Sequence, residues 1–208
     1  MSDTAKTVFT DVFQSNAWGN AESISGPGST LAATRHVQRE LLALCRALGV
    51  RSLLDLPCGD FGWMQAVDLA SAGIAYIGGD IVDPLIQANR ARYARADLRF
   101  EVLDLCRSAL PKADLVLCRD CLVHLPFADI FMAVRNLQRS GSRWLLTTHF
   151  PWLGAGHNVD ILIGQWRRLN LATAPMQWQA GWVLPEGCDI DGFQDKSLAL
   201  FDLKTLRC

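Results

Sequence analysis

The sequence lacks a long apolar run, an excess of charge of either sign, and an internal repeat. No stretch approaches the roughly 20 uninterrupted apolar residues of a membrane span, so no membrane partner is expected. The chain has 208 residues, with 20 Lys and Arg against 21 Asp and Glu, which leaves a formal net charge of −1. Because nucleic-acid binders normally carry a basic excess, no nucleic-acid partner is expected. The first residues lack the basic start and apolar core of a secretory signal, which predicts a cytoplasmic protein.

The cysteines do not form a pattern typical of disulfides or of zinc. They are odd in number and mostly lie inside apolar runs, which is typical of reduced, buried thiols. The seven positions are Cys45, Cys58, Cys106, Cys118, Cys121, Cys188 and Cys208. Cys118 and Cys121 are spaced C-x-x-C, but no second pair lies at a zinc-like distance. We therefore expect no metal site.

What the sequence contains is an alternation of apolar strand-like runs and helical patterns. Strand-like runs lie at 52–56, 75–80, 98–104, 114–118 and 144–148. Helical patterns lie at 34–48, 64–72, 84–94 and 128–138. Strands that are apolar throughout and alternate with helices predict an α/β fold, a parallel sheet with helices on both faces. Two late runs, 182–184 and 198–202, are spaced more like a hairpin than like a crossover.

Acidic residues recur where these predicted strands end. The first strand carries Asp55 and runs into the turn Pro57-Cys58-Gly59-Asp60-Phe61-Gly62, and three later strands end in, or run directly into, Asp80, Asp104 and Asp120. Ligands of open α/β sheets bind outside the carboxyl ends of the strands. A strand-end Asp can also serve as a turn or helix-cap residue, and both interpretations stay open at this point.

These segments resemble the class I S-adenosylmethionine-dependent methyltransferases. The resemblance is carried by Leu53-Leu54-Asp55-Leu56-Pro57-Cys58-Gly59-Asp60, Tyr76-Ile77-Gly78-Gly79-Asp80-Ile81, Phe100-Glu101-Val102-Leu103-Asp104 and Asp114-Leu115-Val116-Leu117-Cys118-Arg119-Asp120. It covers residues 50–150. It implies a Rossmann-like, doubly wound, mostly parallel seven-stranded sheet with an antiparallel C-terminal strand, and S-adenosyl-L-methionine (SAM) as the cofactor.

The resemblance also implies which residues bind the cofactor. The turn around Gly59 would cradle its methionine part, Asp80 would hold the ribose hydroxyls, and Asp104 would contact the adenine amino group. The full implied set is Asp55, Pro57, Cys58, Gly59, Asp80, Ile81, Asp104, Leu105, Cys118 and Arg119. The turn departs from the family pattern, because Pro57 and Phe61 stand where the first and third glycines would be.

Three residues are candidates for catalysis: His149, Asp120 and His124. Methyl transfer depends mainly on holding the acceptor and the methyl group in line, and a base is needed only for a weakly acidic acceptor such as a hydroxyl. His149 follows the strand-like run 144–148, and its pKa range suits proton removal at neutral pH. We therefore expect O-methylation of a small-molecule acceptor, with His149 as the base. His124 would share a face with Asp120 if that segment is helical.

Other interpretations remain open. A nicotinamide-dependent oxidoreductase would show Gly-x-Gly-x-x-Gly after the first strand, which is absent here. A catalytically silent, methyltransferase-like binding domain and methylation of a protein side chain are further alternatives. Residues 1–35 are interpreted as a lid or substrate segment and 36–208 as one catalytic domain, although 25–30 would equally suit a plain loop with Ser29 or Thr30 as a helix N-cap. The sequence leaves a homodimer open.

Overall fold

A computed structural model describes residues 3–153, 157–187 and 193–207. These form two compact units that divide after Leu105. Cys188 and Cys208 lie outside the described residues, and the other five cysteines are reduced thiols, four of them buried, as the sequence predicts. Among the described residues, no helix combines the length and the apolar character that crossing a membrane needs.

In the first unit, residues 3–105 form three α-helices and three strands. Its elements are α1 (Asp3–Ser15), α2 (Leu31–Leu48), β1 (Ser52–Asp55), β2 (Ala75–Asp80), α3 (Asp83–Tyr93) and β3 (Leu98–Val102), with short 3-10 turns at Pro27–Ser29 and Met64–Ala66. The three strands are parallel, with β2 between β1 and β3. Four rings, those of Phe61, Tyr76, Tyr93 and Phe100, pack against one another with centroids 5.1–6.4 Å apart.

In the second unit, residues 106–153, 157–187 and 193–207 form one α-helix and four strands. Its elements are β4 (Leu115–Cys118), α4 (Phe127–Arg139), β5 (Trp144–His149), β6 (Trp182–Pro185) and β7 (Ser197–Asp202), with 3-10 turns at Leu122–His124 and Leu203–Thr205. β4 and β5 are parallel, whereas β7 pairs antiparallel with both β5 and β6. The late hairpin predicted from the sequence is therefore confirmed.

The strand order is β3-β2-β1-β4-β5-β7-β6 in one seven-stranded sheet. A mostly parallel sheet in this order, with an antiparallel strand near the C-terminus, is the Rossmann-like doubly wound arrangement that was expected. The apolar strand runs explain it, because β1, β4 and β5 are buried along nearly their whole length and cannot form an exposed face.

The helix prediction over 64–72 was wrong, and α1 was missed. Residues 64–72 form only the 3-10 turn Met64–Ala66. Beyond it, the Asp68 carboxylate accepts hydrogen bonds from the Ser71 backbone and hydroxyl, and the chain turns again at Gly73, where φ is +66°. By contrast, α2 ends at Gly49 as predicted, and Thr30 is its N-cap, since Thr30 Oγ1 accepts from the Ala33 backbone at 3.2 Å.

Candidate active site

In the first unit, β1 ends in a buried carboxylate. Asp55 is 3% exposed, and its Oδ2 accepts a hydrogen bond from the Tyr76 hydroxyl at 2.7 Å. Burial raises the pKa of Tyr76 well above its usual range, and the adjacent Asp55 carboxylate raises it further. Tyr76 is therefore a permanent donor, which fixes Asp55 at the start of the turn.

The turn after β1 is held by the neighbouring strand and by α3. The Cys58 backbone N–H donates to the Gly79 carbonyl at 2.8 Å, and Asn89 Nδ2 donates to the Gly59 carbonyl at 2.7 Å. Gly59 has φ +54°, a conformation that favours glycine. Burial and the nearby carboxylates of Asp80 and Asp55 raise the pKa of the Cys58 thiol well above its usual range, so Cys58 is an uncharged packing residue.

Asp80, the last residue of β2, presents its carboxylate to this turn. It is 6% exposed, with Oδ2 accepting from the Gly59 N–H at 3.2 Å and Oδ1 from the Val82 N–H at 3.0 Å. Burial raises its pKa to about 6, against the lowering effect of the backbone N–H groups of Val82, Gly59 and Ile81. Because each carboxylate oxygen can accept more than one hydrogen bond, both oxygens retain capacity for a further donor.

The N-terminal segment packs on the same turn. Asp60 Oδ2 accepts from the Ser23 hydroxyl at 2.8 Å and from the Ile24 N–H at 3.1 Å. In return, the Asp60 N–H donates to Ser25 Oγ at 3.1 Å. Ser23, Ser25 and Asp60 were not among the predicted site residues, although Asp60 stands inside the quoted motif. The interpretation of residues 1–35 as a lid stays a prediction.

The remaining predicted residues of the first unit lie next to this turn or beyond β3. Pro57 and Ile81 are half-buried, Leu105 is buried, and Asp104 is half-buried two residues past the end of β3. The Leu103 N–H donates to the Asp80 carbonyl at 2.9 Å, which joins the chain after β3 to the end of β2. The first unit thus brings Asp55, Cys58, Gly59 and Asp80 together around one turn.

In the second unit, the segment after β4 enters a cluster of four charged side chains. Arg119 donates through Nε and Nη2 to the Glu186 carboxylate at 3.1 and 2.6 Å. Lys196 Nζ lies 2.6 Å from Asp120 Oδ2 and 3.4 Å from Glu186 Oε2, and Arg119 Nη1 lies 3.1 Å from Asp120 Oδ2. The cluster has two positive and two negative charges, so it is balanced internally.

Asp120 is fixed as a carboxylate within this cluster. Burial opposes ionisation, but the charges of Lys196 and Arg119 hold its pKa well below the usual range. Its backbone has φ +52°, and its N–H donates to Thr148 Oγ1 at 2.7 Å. The Thr148 hydroxyl donates back to Asp120 Oδ1 at 3.2 Å. Asp120 is therefore a poor proton acceptor, and its negative charge pairs with Lys196 and Arg119.

Cys118 and Arg119, the predicted cofactor residues of this unit, are both buried. Cys118 is the last residue of β4, and its carbonyl accepts from the Thr147 hydroxyl at 2.7 Å. Arg119 forms its hydrogen-bonded ion pair with Glu186, which lies 67 residues away in the chain and is not indicated by any local sequence pattern. Glu186 and Lys196 were missed for this reason.

The two candidate histidines are held by backbone groups of the segment 165–171. His124 Nδ1 lies 3.0 Å from the Gln165 carbonyl, and the Leu171 N–H donates to His149 Nδ1 at 3.1 Å. Burial lowers the pKa of both rings. His124 is half-buried and ends the 3-10 turn Leu122–His124, whereas Asp120 lies before that turn with φ +52°, so the helical face expected to join the two residues is not formed. Within the described residues, no three His, Cys, Asp or Glu side chains converge as metal ligands.

Comparison with solved structures finds methyltransferases over almost the whole chain. Magnesium protoporphyrin IX methyltransferase from Synechocystis PCC 6803, with bound SAM, superposes with a TM-score of 0.63 at 18% identity, over 94% of this chain and 95% of that one. Human N-acetylserotonin methyltransferase, in complex with SAM, gives 0.60 at 14% identity, over 95% and 59%. The methyltransferase domain of bacterial CtHen1 gives 0.61 at 13% identity, over 83% and 98%.

The chain has the class I methyltransferase fold. Its sequence does not match any protein-family model, and a search of curated proteins finds no match. With identities below 20%, the superpositions establish the methyltransferase fold and leave the chemistry to be argued from the side chains.

Proposed function

We propose that this protein is a SAM-dependent methyltransferase that methylates a hydroxyl group of a small-molecule acceptor. The observation that carries the proposal is the buried carboxylate of Asp80 at the end of β2, held by two backbone N–H groups of the turns around it. In a fold shared with proteins crystallised with SAM, this is the position of the ribose acceptor that the sequence resemblance implies.

The residues of the first unit fit that cofactor. A ribose presents two adjacent hydroxyl donors, and Asp80 has one carboxylate oxygen for each. The turn around Gly59 would hold the methionine part, and Asp104 would accept from the adenine amino group. Burial disfavours the ionised form of Asp80 and raises its pKa to about 6. Two charge-assisted hydrogen bonds from a diol would stabilise the carboxylate and offset that desolvation cost.

The chain's own contribution to methyl transfer is chiefly positional. Bound SAM would supply a methyl group already activated on its sulfonium. The protein has to hold the acceptor in line with that methyl group, which is worth on the order of 7–11 kcal/mol. It must also receive the proton if the acceptor is a hydroxyl.

Aromatic side chains of the second unit support a flat organic acceptor. Trp152 and Trp166 are 74% and 45% exposed, and the Trp166 ring lies 5.3 Å from that of Phe193. Pockets for small organic molecules are lined largely by such apolar and aromatic side chains. We propose that these tryptophans contact the acceptor.

Cofactor binding is the direct test. Calorimetry with SAM and S-adenosylhomocysteine should give binding to the wild-type protein and affinity lower by on the order of 10- to 100-fold in Asp80→Asn, because a charge-assisted bond is lost. Asp83→Asn, three residues along in α3, is the matched control and should bind as the wild type does. The wild-type affinity should fall about tenfold between pH 8 and pH 5 as Asp80 protonates, while Asp80→Asn stays flat.

The same measurement separates the alternatives. Unchanged affinity in Asp80→Asn would reject the ribose assignment. Binding of nicotinamide nucleotides in place of SAM would indicate an oxidoreductase. Tight SAM binding without formation of S-adenosylhomocysteine from any acceptor, small molecule or protein, would indicate a silent binding domain.

A further inference from the structure

Gly59, in the turn after β1, is held at both its N–H and its carbonyl by groups from β2 and α3. The N–H donates to Asp80 Oδ2 at 3.2 Å, and the carbonyl accepts from Asn89 Nδ2 at 2.7 Å. Because a carbonyl only accepts, the Asn89 side chain has to turn its NH₂ group toward Gly59. This residue of the turn is therefore fixed between the last residue of β2 and the helix that follows that strand.

Asn89 stands where α3 would be expected to carry an apolar side chain. The residues that this helix buries are Leu85, Ile86 and Asn89, and Asn89 follows the other two by four and three residues, so all three share one face. Asn89 is 3% exposed. Asparagine is a poor helix former, and burial of its amide is unfavourable unless the amide is hydrogen-bonded. Asn89 therefore weakens α3 taken alone, and what it adds is the bond to the turn.

Without Asn89, the Gly59 carbonyl would lose the group that fixes its direction. The two N–H groups of the turn are bonded to β2, that of Cys58 to the Gly79 carbonyl and that of Gly59 to the Asp80 carboxylate. The carbonyl of Gly59 is bonded to α3 instead, through Asn89. Glycine has no side chain that restricts rotation about φ and ψ, so loss of this bond would let residue 59 rotate and carry its N–H away from Asp80.

The orientation of the Asp80 carboxylate depends on that N–H. Its Oδ1 accepts from the Val82 N–H at 3.0 Å, a local bond two residues along the chain. The bond from Gly59 to Oδ2 is the one that ties the carboxylate to the turn. If Gly59 moved away, the carboxyl group would be held at one oxygen only.

We propose that Asn89 is a positioning residue for the cofactor: by holding the Gly59 carbonyl, it keeps the Gly59 N–H on Asp80 and so orients the carboxylate that would receive the ribose hydroxyls. This rests on the proposed function. Asn89 acts through Gly59 and does not itself have to touch the cofactor. Its contribution to SAM affinity therefore depends on the presence of Asp80.

The effect on Asp80 can be measured without any ligand. The NMR signal of the Gly59 amide should titrate with the Asp80 carboxylate, whose pKa burial raises to about 6. In Asn89→Leu the bond from Gly59 is weakened, so we expect a midpoint about one pH unit higher and hydrogen exchange at the Gly59 amide about tenfold faster. A midpoint and an exchange rate that both match the wild type overturn the proposal.

Asp80→Asn assigns that midpoint. The other titratable groups at the turn are Asp55, Cys58 and Tyr76, and burial above all raises the pKa of Cys58 and Tyr76, which stay uncharged near pH 6. The titration of the Gly59 amide should disappear in Asp80→Asn. Its persistence would contradict the hydrogen bond on which the proposal rests.

A double-mutant cycle tests whether Asn89 acts through Asp80. We expect Asn89→Leu to lower SAM affinity about tenfold in the wild-type background but less than about threefold in Asp80→Ala, which has no carboxylate to orient. A residue that only stabilises the fold would lower the affinity by the same factor in both backgrounds, and that result overturns the proposal. Gln87→Leu is the matched control, since Gln87 is an exposed amide of α3 that donates to Asp83 at 3.0 Å, and it should leave SAM affinity and the Gly59 titration unchanged.

The two measurements keep this proposal distinct from the proposed function. A wild-type protein that binds no SAM rejects the proposed function and with it the cofactor role of Asn89. A wild-type protein that binds SAM, with equal factors in the cycle, leaves the proposed function standing and rejects the role of Asn89 alone. Asn89→Ala, which favours the helix and adds no bulk, takes the place of Asn89→Leu if the larger side chain prevents folding, with the same expected results.

Discussion

At the scale of the residue, Gly59 has two separate reasons to be glycine. Its φ of +54° lies in the left-handed region, and a Cβ added there would overlap the Ser25 hydroxyl. Gly49, the C-cap of α2, has a similar φ of +66° but nothing within 4 Å of an added Cβ. Alanine substitutions at Gly49 and Gly59 therefore separate two contributions to the free energy of unfolding: the cost of the left-handed backbone and the cost of steric overlap.

We expect Gly49→Ala to lower the free energy of unfolding by about 1–2 kcal/mol, the cost of the left-handed conformation alone. Gly59→Ala should lower it by about 1–3 kcal/mol more, because Ser25 must move. Urea unfolding of both variants measures the difference. Adding Ser25→Gly to Gly59→Ala should recover the overlap part, and equal losses in the two single variants would show that Ser25 does not press on the turn.

The candidate site residues that sequence reasoning identified share one property: they lie close to a strand end in the chain. Asp55 and Asp80 are the last residues of β1 and β2, so the apolar strand pattern that predicts the sheet also places them. Glu186 bonds to Arg119 from 67 residues away and Lys196 to Asp120 from 76 residues away, through positions that no local pattern marks.

At the scale of the element, Asp60 holds the segment 20–30 on the turn after β1. Three of the bonds to its carboxylate come from Ser23, Ile24 and Gly62. Removing them in Asp60→Ala should free the segment, so that amide hydrogen exchange speeds up at residues 23–26. If this segment covers the cofactor as the lid interpretation proposes, SAM affinity should fall by about tenfold or more, since one hydrogen bond to a charged group is worth roughly 1.5–3 kcal/mol.

Asp68 provides the matched control for that experiment. It is also a turn carboxylate that accepts from a serine, Ser71, but it is exposed and lies outside the segment 20–30. Asp68→Ala should leave exchange at 23–26 and SAM affinity unchanged. Faster exchange in Asp60→Ala together with wild-type affinity would show that the segment is bound to the turn without covering the cofactor.

Two helices of the first unit were assigned incorrectly from the sequence, one over 64–72 and one in α1. The apolar spacing over 64–72 is helical, but Asp68 and Ser71 bond to each other locally and give the backbone a turn in place of a helix. In α1, the apolar residues do have helical spacing and are half-buried, but they form no long apolar run, and the helix was overlooked. They are Val8, Phe9, Val12 and Phe13. Long apolar strands were predicted reliably because burial on both faces leaves them few alternatives.

At the scale of the whole molecule, the buried titratable groups act on stability in opposite directions as the pH falls. The pKa of His124 and His149 is lowered from 6.5, so the unfolded chain binds protons first and stability is lost as the pH falls below 6.5. The pKa of Asp80 is raised from 3.8 to about 6, so the folded chain binds a proton first and stability rises as the pH falls from 6 to 4. The pKa of Asp120 is lowered, so this residue adds stability that is lost only below 3.8.

Asp80 should therefore moderate the acid sensitivity of the fold. We expect the free energy of unfolding of the wild type, relative to that of Asp80→Asn, to increase by about 2 kcal/mol between pH 7.5 and pH 4.5, as the buried carboxylate takes up its proton. Urea midpoints at four pH values in this range measure it, with Asp11→Asn, an exposed carboxylate on α1, as the control. A difference that stays constant with pH would mean that ionisation of Asp80 does not destabilise the folded protein. The pKa argument for a diol donor at this carboxylate would then be rejected.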